Sequence, residues 1–432
     1  MADEAPCIIG WDKPRLHHCQ AMLPVVIRCR RLLSGAELTP WAGGFMQSLL
    51  FAFRAHACPR APVHVAFQRK ILPLSDGGAV ALDWATLEGQ TAQSPEAIVL
   101  IVPGITGTHD SAAYVRLAKF IHAKTGGRWK CVTKSWRGMG IALSSRQARA
   151  ETWDDRAVLD LLECAEHVRK SHSQSKLMLY GSSQGGNIAT VALATERGAQ
   201  LFSAGFNCSA PFDIEAAMTY LERDCPYPFA FANTTLVNSF HDADEGKACI
   251  TTALETETKP MFEKVEQELS VWNVIFHACI RRPYGSTWHE QVTCRFTGHE
   301  SPSAYYRDCA ASVCEAVRSV RVPLLCLLSE DDPVTPPVAY TELEWKHAQN
   351  SPNLVMAVTR TGGHCGWFQG LWAELNWSDE VALEFYLACL DEERSADEGK
   401  KLQRLLANPS SFVGWIRVIM ILVSCFLAGL FI

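Results

Sequence analysis

The stretch LMLYGSSQGGNIATVALA, Leu177 to Ala194, decides how the rest of the chain is read. An apolar run ending at Tyr180 has the character of a buried strand, and Gly186 to Glu196 has the pattern of a helix that stops near Gly198. Between them, Gly181-Ser182-Ser183-Gln184-Gly185 fits G-x-S-x-G. A serine at the centre of a sharp strand-to-helix turn sits in a strained backbone conformation, and glycines two residues to either side let strand and helix pass without a clash. Ser183, not Ser182, has both glycines in register.

Working outward, the same strand-then-helix alternation repeats. Ala97 to Val102 precedes a helical pattern from Ala112 to Lys124, and Trp129 to Lys134 precedes one from Thr152 to Lys170. Such alternation implies right-handed crossovers and an α/β fold with a mostly parallel central sheet and helices on both faces. Two runs, Val63 to Leu72 and Ala79 to Trp84, flank the turn cluster Ser75-Asp76-Gly77-Gly78 and predict a β-hairpin at the start of this domain. The alternation breaks after Ser209-Ala210-Pro211-Phe212-Asp213 and resumes with Val322 to Leu328, Leu354 to Val358 and a last helix from Ser378 to Leu390. The largely helical, aromatic-rich stretch between, 213–319, is expected to be a lid over the site.

A serine hydroxyl needs a base, and the base needs a carboxylate to orient it, in the chain order Ser, Asp or Glu, His. Asp331 and Asp332 follow the apolar run VPLLCLL, at the carboxyl end of a strand where ligands and catalytic groups gather. Asp332 is preferred because it begins a loop stiffened by Pro333 and Pro336. His364 stands in a loop with Gly362, Gly363 and Gly366, free to reach across the sheet. Neighbouring Cys365 has no second ligand at a fixed spacing that would support a metal site. An oxyanion hole is expected from the amide of Gln184 and, in the loop Val102-Pro103-Gly104-Ile105-Thr106-Gly107, the amide of Ile105.

With 432 residues, 48% of them hydrophobic, the chain can bury one large core and carry extensions at both ends. The divisions read from it are an N-terminal extension 1–60, a catalytic domain 61–392, a charged linker 393–411 and a membrane-spanning tail anchor 412–432. A net charge of −6 without basic clusters excludes a nucleic-acid binder. Seventeen cysteines without C-x-x-C pairs, many in apolar runs, read as reduced thiols. The acidic N-terminus lacks the form of a secretory signal. From Val418 to Ile432 the run is apolar apart from Ser424, and counted from Phe412 it reaches a spanning length. Lys400, Lys401 and Arg404 lie on its domain side, which predicts a catalytic domain in the cytosol.

Seven pieces in order, PGITG (103–107), KSWRGMG (134–140), GSSQGGN (181–187), SAPFD (209–213), SPSAYYRDCAAS (301–312), SEDDP (329–333) and GGHCGW (362–367), resemble the YheT-like branch of the α/β-hydrolase family. That group includes abhydrolase-domain esterases and acylglycerol or phospholipid lipases. The resemblance implies the α/β-hydrolase fold and a serine esterase or lipase that uses Ser183, Asp332 and His364 without metal or organic cofactor. It further implies an ester or lipid substrate. The group's Asn-His-Arg-Gly turn reads Ser135-Trp136-Arg137-Gly138 here, so the role of that histidine does not carry over. Several animal relatives are anchored at the N-terminus, unlike the arrangement expected here. Acyl transfer or protein thioester hydrolysis on the same residues, and a non-catalytic lipid-binding protein, are the competing expectations.

Overall fold

The computed structural model describes residues 11–38, 43–56, 65–87, 94–104, 107–137, 155–223, 294–340, 348–369 and 375–407. A nine-stranded sheet forms its centre. In chain order its strands are β1 (Arg15–His17), β2 (Ala66–Pro73), β3 (Ala79–Thr86), β4 (Ala97–Val102), β5 (Trp129–Lys134), β6 (Lys176–Ser182), β7 (Ala204–Cys208), β8 (Leu324–Ser329) and β9 (Leu354–Thr359). Across the sheet they run β1-β9-β8-β7-β6-β4-β5-β3-β2. The pairings from β5 through β4, β6, β7 and β8 to β9 are all parallel, while β1, β2 and β3 pair antiparallel at the edges. Strands β4, β8 and β9 are buried along their whole length, which is why they read as continuous apolar runs instead of alternating ones.

The chain enters the parallel sheet at β4, moves outward to β5, then returns to the other side of β4 for β6. This reversal opens a crevice at the carboxyl ends of β4 and β6, the usual place for a site in an open α/β sheet. Helices cover both faces. On one lie α4 (Asp155–Ser171), α5 (Gln184–Ala194), α6 (Ile214–Arg223) and α7 (Pro302–Ser319). On the other lie α1 (Leu23–Arg28), α3 (Ala112–Thr125) and the buried part of α8 (Trp377–Ala407). The helix α2 (Gly44–His56) packs beside α3.

Three expectations change. The N-terminal extension does more than pack on the core, since β1 adds an antiparallel edge strand against β9. Three residues with mostly exposed or half-exposed side chains leave no period to read. The expected lid 213–319 begins and ends in core helices: Ile214, Met218 and Leu221 of α6 and Tyr305, Val313 and Val317 of α7 share one apolar cluster with the sheet. Tyr305 and Tyr306 of α7 are buried core residues. Residues 224–293, to which a lid would be confined, lie outside the described residues. Finally, α8 runs without a break through the expected domain end at 392 to Ala407. Its charged half is rich in strong helix formers, with Asp391–Arg394 and Asp397–Lys400 pairs one turn apart. The apolar stretch 412–432 also lies outside the described residues, among which no helix is long and apolar enough to cross a membrane.

Candidate active site

Ser183 follows β6 at φ 51°, ψ −124°, a left-handed conformation for a residue with a side chain, and α5 begins at the next residue. The turn forms because small residues let three backbones converge. A Cβ on Gly181 would lie 2.6 Å from the Gly185 carbonyl oxygen, and one on Gly185 would strike the carbonyls of Val102 and Pro103. Ser183 N–H donates to the Cys208 carbonyl at 2.7 Å, tying the turn to β7. The strain of a positive φ at a non-glycine residue costs about 1–3 kcal/mol and is held by this packing. Its result is a half-buried hydroxyl presented above the sheet.

Asp332 follows β8 and His364 follows β9, so all three residues picked from the sequence come from carboxyl ends of parallel strands and meet at one point. Ser183 Oγ lies 2.9 Å from His364 Nε2, and His364 Nδ1 lies 2.9 and 3.1 Å from the two oxygens of Asp332. Asp332 is buried and also accepts from the amides of Val334 and Thr335 at 2.7 and 2.8 Å. Those two N–H groups fix the orientation of the carboxylate towards the imidazole. A carboxylate facing Nδ1 places the ring proton there and leaves Nε2 free to accept from the Ser183 hydroxyl. The arrangement can draw a proton from Ser183 as its oxygen attacks an electrophilic carbon.

Gln184 occupies the first position of α5, where amides have no partner within the helix and the helix dipole favours negative charge. Ile105, the other expected oxyanion donor, lies outside the described residues. The preceding Gly104 is pinned at both ends: its N–H donates to the Tyr114 hydroxyl at 2.9 Å, and its carbonyl accepts from Trp136 Nε1 at 2.9 Å. It is also pressed close to the serine, since a Cβ there would lie 3.2 Å from Ser183 Cβ. Tyr114 reaches Ser182 Oγ at 2.7 Å, which gives the second serine of the turn a structural task. Burial pushes the Tyr114 phenol up, so its hydroxyl stays protonated. Cys365 is buried beside His364, and burial pushes its thiol well above the ordinary range, against any role as a nucleophile.

Sequence reasoning missed the supports around His364. Gly363 N–H donates to Asp331 Oδ1 at 2.9 Å, Cys365 N–H to Ser209 Oγ at 2.9 Å and His364 N–H to Ser48 Oγ at 2.7 Å. Their one trace in the sequence is the polar pair Gln47-Ser48 interrupting the apolar run from Phe45 to Phe53.

The model of the alpha/beta hydrolase fold matches residues 97–371, well over half of the chain and a span that contains Ser183, Asp332 and His364. The chain belongs to the α/β-hydrolase family. Within it, the chain is 26% identical over 336 residues to the embryogenesis-associated protein EMB8 of Picea glauca, covering 75% of this chain and 66% of that one. It is 23% identical over 331 residues to the human phospholipase ABHD3, covering 76% and 73%. To the monoacylglycerol lipase ABHD2 of Danio rerio it is 26% identical over 339 residues, covering 76% and 71%. The chain therefore spans about two thirds to three quarters of these relatives' lengths.

Proposed function

We propose that this α/β-hydrolase is a carboxylic ester hydrolase of the serine esterase or lipase type, acting through Ser183, His364 and Asp332. The observation that carries this is the unbroken relay from a strained serine hydroxyl to an imidazole to a buried carboxylate, with contacts of 2.9 Å at each step. Ser183 Oγ attacks the acyl carbonyl while its proton passes to His364 Nε2, and Asp332 holds the imidazolium that results. The carbonyl oxygen becomes an oxyanion, for which we assign the amides of Gln184 and Ile105 as donors. His364 then gives its proton to the departing alkoxide, leaving an acyl-enzyme. Water loses a proton to His364 and attacks the acyl carbon, and Ser183 leaves with that proton as the acid is released. Names carried by relatives, phospholipase and monoacylglycerol lipase, favour acyl lipids as substrates. The ordered motif pieces favour the YheT-like branch, and residues 412–432 are assigned as the membrane attachment.

A fluorophosphonate probe tests the assignment directly. The wild type is expected to be labelled, with the modified peptide mapping to Ser183, and Ser183→Ala to be silent. Folded wild-type protein that takes up no probe, or labelling that survives the Ser183→Ala change, would overturn it.

A further inference from the structure

The loop bearing His364 has little conformation of its own. Gly362, Gly363, Cys365 and Trp367 all have positive φ, so neither helix nor strand hydrogen bonding organises it. Two of these carry side chains, and such strain persists only where the surroundings over-determine the backbone. Trp367 N–H donates within the loop to the Gly362 carbonyl at 3.1 Å, and the amides around His364 are held from outside: Asp331 takes Gly363 N–H and Ser209 takes Cys365 N–H. Two more come from α2. Ser48 Oγ accepts from His364 N–H at 2.7 Å while donating its own proton to the Gly44 carbonyl at 2.6 Å, which leaves a lone pair aimed at the loop. Gln47, fully buried, accepts from Phe368 N–H through Oε1 at 2.9 Å and reaches the Phe368 carbonyl through Nε2 at 3.4 Å, as a neighbouring strand would.

The glycines of the loop fit the same helix. A Cβ on Gly363 would lie 2.6 Å from Ser48 Oγ, and one on Gly366 would lie 2.8 Å from Gln47 Cβ. A Cβ on Gly44 would in turn strike Asp331. Helix α2 is thus fitted between the loop of the acid and the loop of the base, although it lies ahead of the stretch 97–371 that the family shares. The geometry points to Gln47 and Ser48 as positioning residues that hold His364 in line with Ser183, which makes this N-terminal helix a working part of the catalytic apparatus. The role in catalysis rests on the serine-hydrolase assignment above; the hold on the loop does not.

Ser48→Val and Ser48→Thr separate the hydroxyl from the packing, because valine and threonine share a shape. In Ser48→Val, deuterium uptake in the peptide spanning 362–368 is expected to rise. The fluorophosphonate labelling rate and kcat should fall about 10- to 100-fold, the cost of a small displacement of a reacting group, with KM little changed. Ser48→Thr should restore all three. Gln47→Leu should give the same loss with a lower Tm, since it removes the two hydrogen bonds between a buried amide and the Phe368 backbone. Unchanged deuterium uptake in Ser48→Val would overturn the hold itself. Raised uptake with wild-type labelling and kcat, or a Ser48→Thr variant as impaired as Ser48→Val, would overturn the positioning role. Raised uptake in a wild-type background that never reacts with the probe would instead overturn the hydrolase assignment and leave the hold standing.

Discussion

Asp331 and Asp332 are adjacent, bear the same side chain and perform different tasks. Asp332 faces His364 Nδ1, so Asp332→Asn places an amide where an acceptor is needed and turns the imidazole to its other tautomer. The Val334 and Thr335 amides keep their acceptor, so the fold should survive while kcat falls about 10⁴-fold, measurable as ester turnover beside an unchanged circular dichroism spectrum. Asp331 holds the Gly363 amide, and burial raises its carboxyl above the ordinary aspartate value. A raised acid binds its proton more tightly in the folded state. Its contribution to stability is therefore complete below the unfolded pKa and is lost as pH rises through the folded one. Asp331→Asn keeps an oxygen for Gly363 without the buried charge. It should leave Tm at neutral pH unchanged or higher and flatten the loss of stability with rising pH above the aspartate range, as followed by thermal melts across pH; a lower Tm at neutral pH would count against this. The choice between the two acids was legible because Asp332 opens the proline-stiffened loop, and the choice of Ser183 over Ser182 because glycine register is a local property. The amide holds on the His364 loop were not legible, since their partners, Gln47 and Ser48 among them, are remote in sequence.

At the scale of elements, the junction after β5 joins the sheet to α4 and to the loop after β4. Arg137 is buried with Asp160 of α4, making paired contacts of 2.5 and 2.6 Å, and reaches Asp76 in the β2–β3 turn at 2.9 Å. Asp160→Ala removes the buried counter-charge of Arg137 and leaves it the exposed Asp76, so stability should fall by about 3 kcal/mol, the low end for breaking a buried pair, read from denaturant unfolding. Trp136 beside it holds the Gly104 carbonyl at the edge of the crevice. Trp136→Phe keeps an aromatic face but removes the N–H together with part of a buried indole, so Tm should fall from the cavity while kcat drops about tenfold as the loop after β4 loosens, and unaltered kcat would show that Gly104 needs no such hold. Alternation of apolar runs and helical patterns announced β4, β5, β6, β8 and β9 because these strands are nearly or wholly buried, whereas the five residues of β7, Ala204–Cys208 with a glycine and an asparagine among them, make no such run. Strand β1 and the core packing of α6 and α7 stayed hidden, since a three-residue edge strand carries no period and an aromatic helix reads alike in a lid and in a core.

Over the whole molecule, α8 relates the site to the apolar segment at residues 412–432. Its first part, through Leu390, packs in the core, whereas Asp391 onward is mostly exposed up to Lys400. The ten residues from Asp391 to Lys400 carry the helix about 15 Å beyond the packed part. It leaves the domain at the amino ends of the strands: Glu393 pairs with Lys176, the first residue of β6, while Ser183 follows the last. Stalk and nucleophile therefore stand at opposite ends of one seven-residue strand, about 20 Å apart by strand rise. On the attachment proposed above, the chemistry of the site is expected to be independent of residues 412–432. Deleting residues 412–432 should move the protein from the membrane pellet to the supernatant and leave kcat/KM towards a water-soluble short-chain ester unchanged. Retention in the pellet would mean that another part of the chain holds the membrane. Loss of activity with intact folding would mean that the segment reaches the crevice, which the direction of α8 opposes.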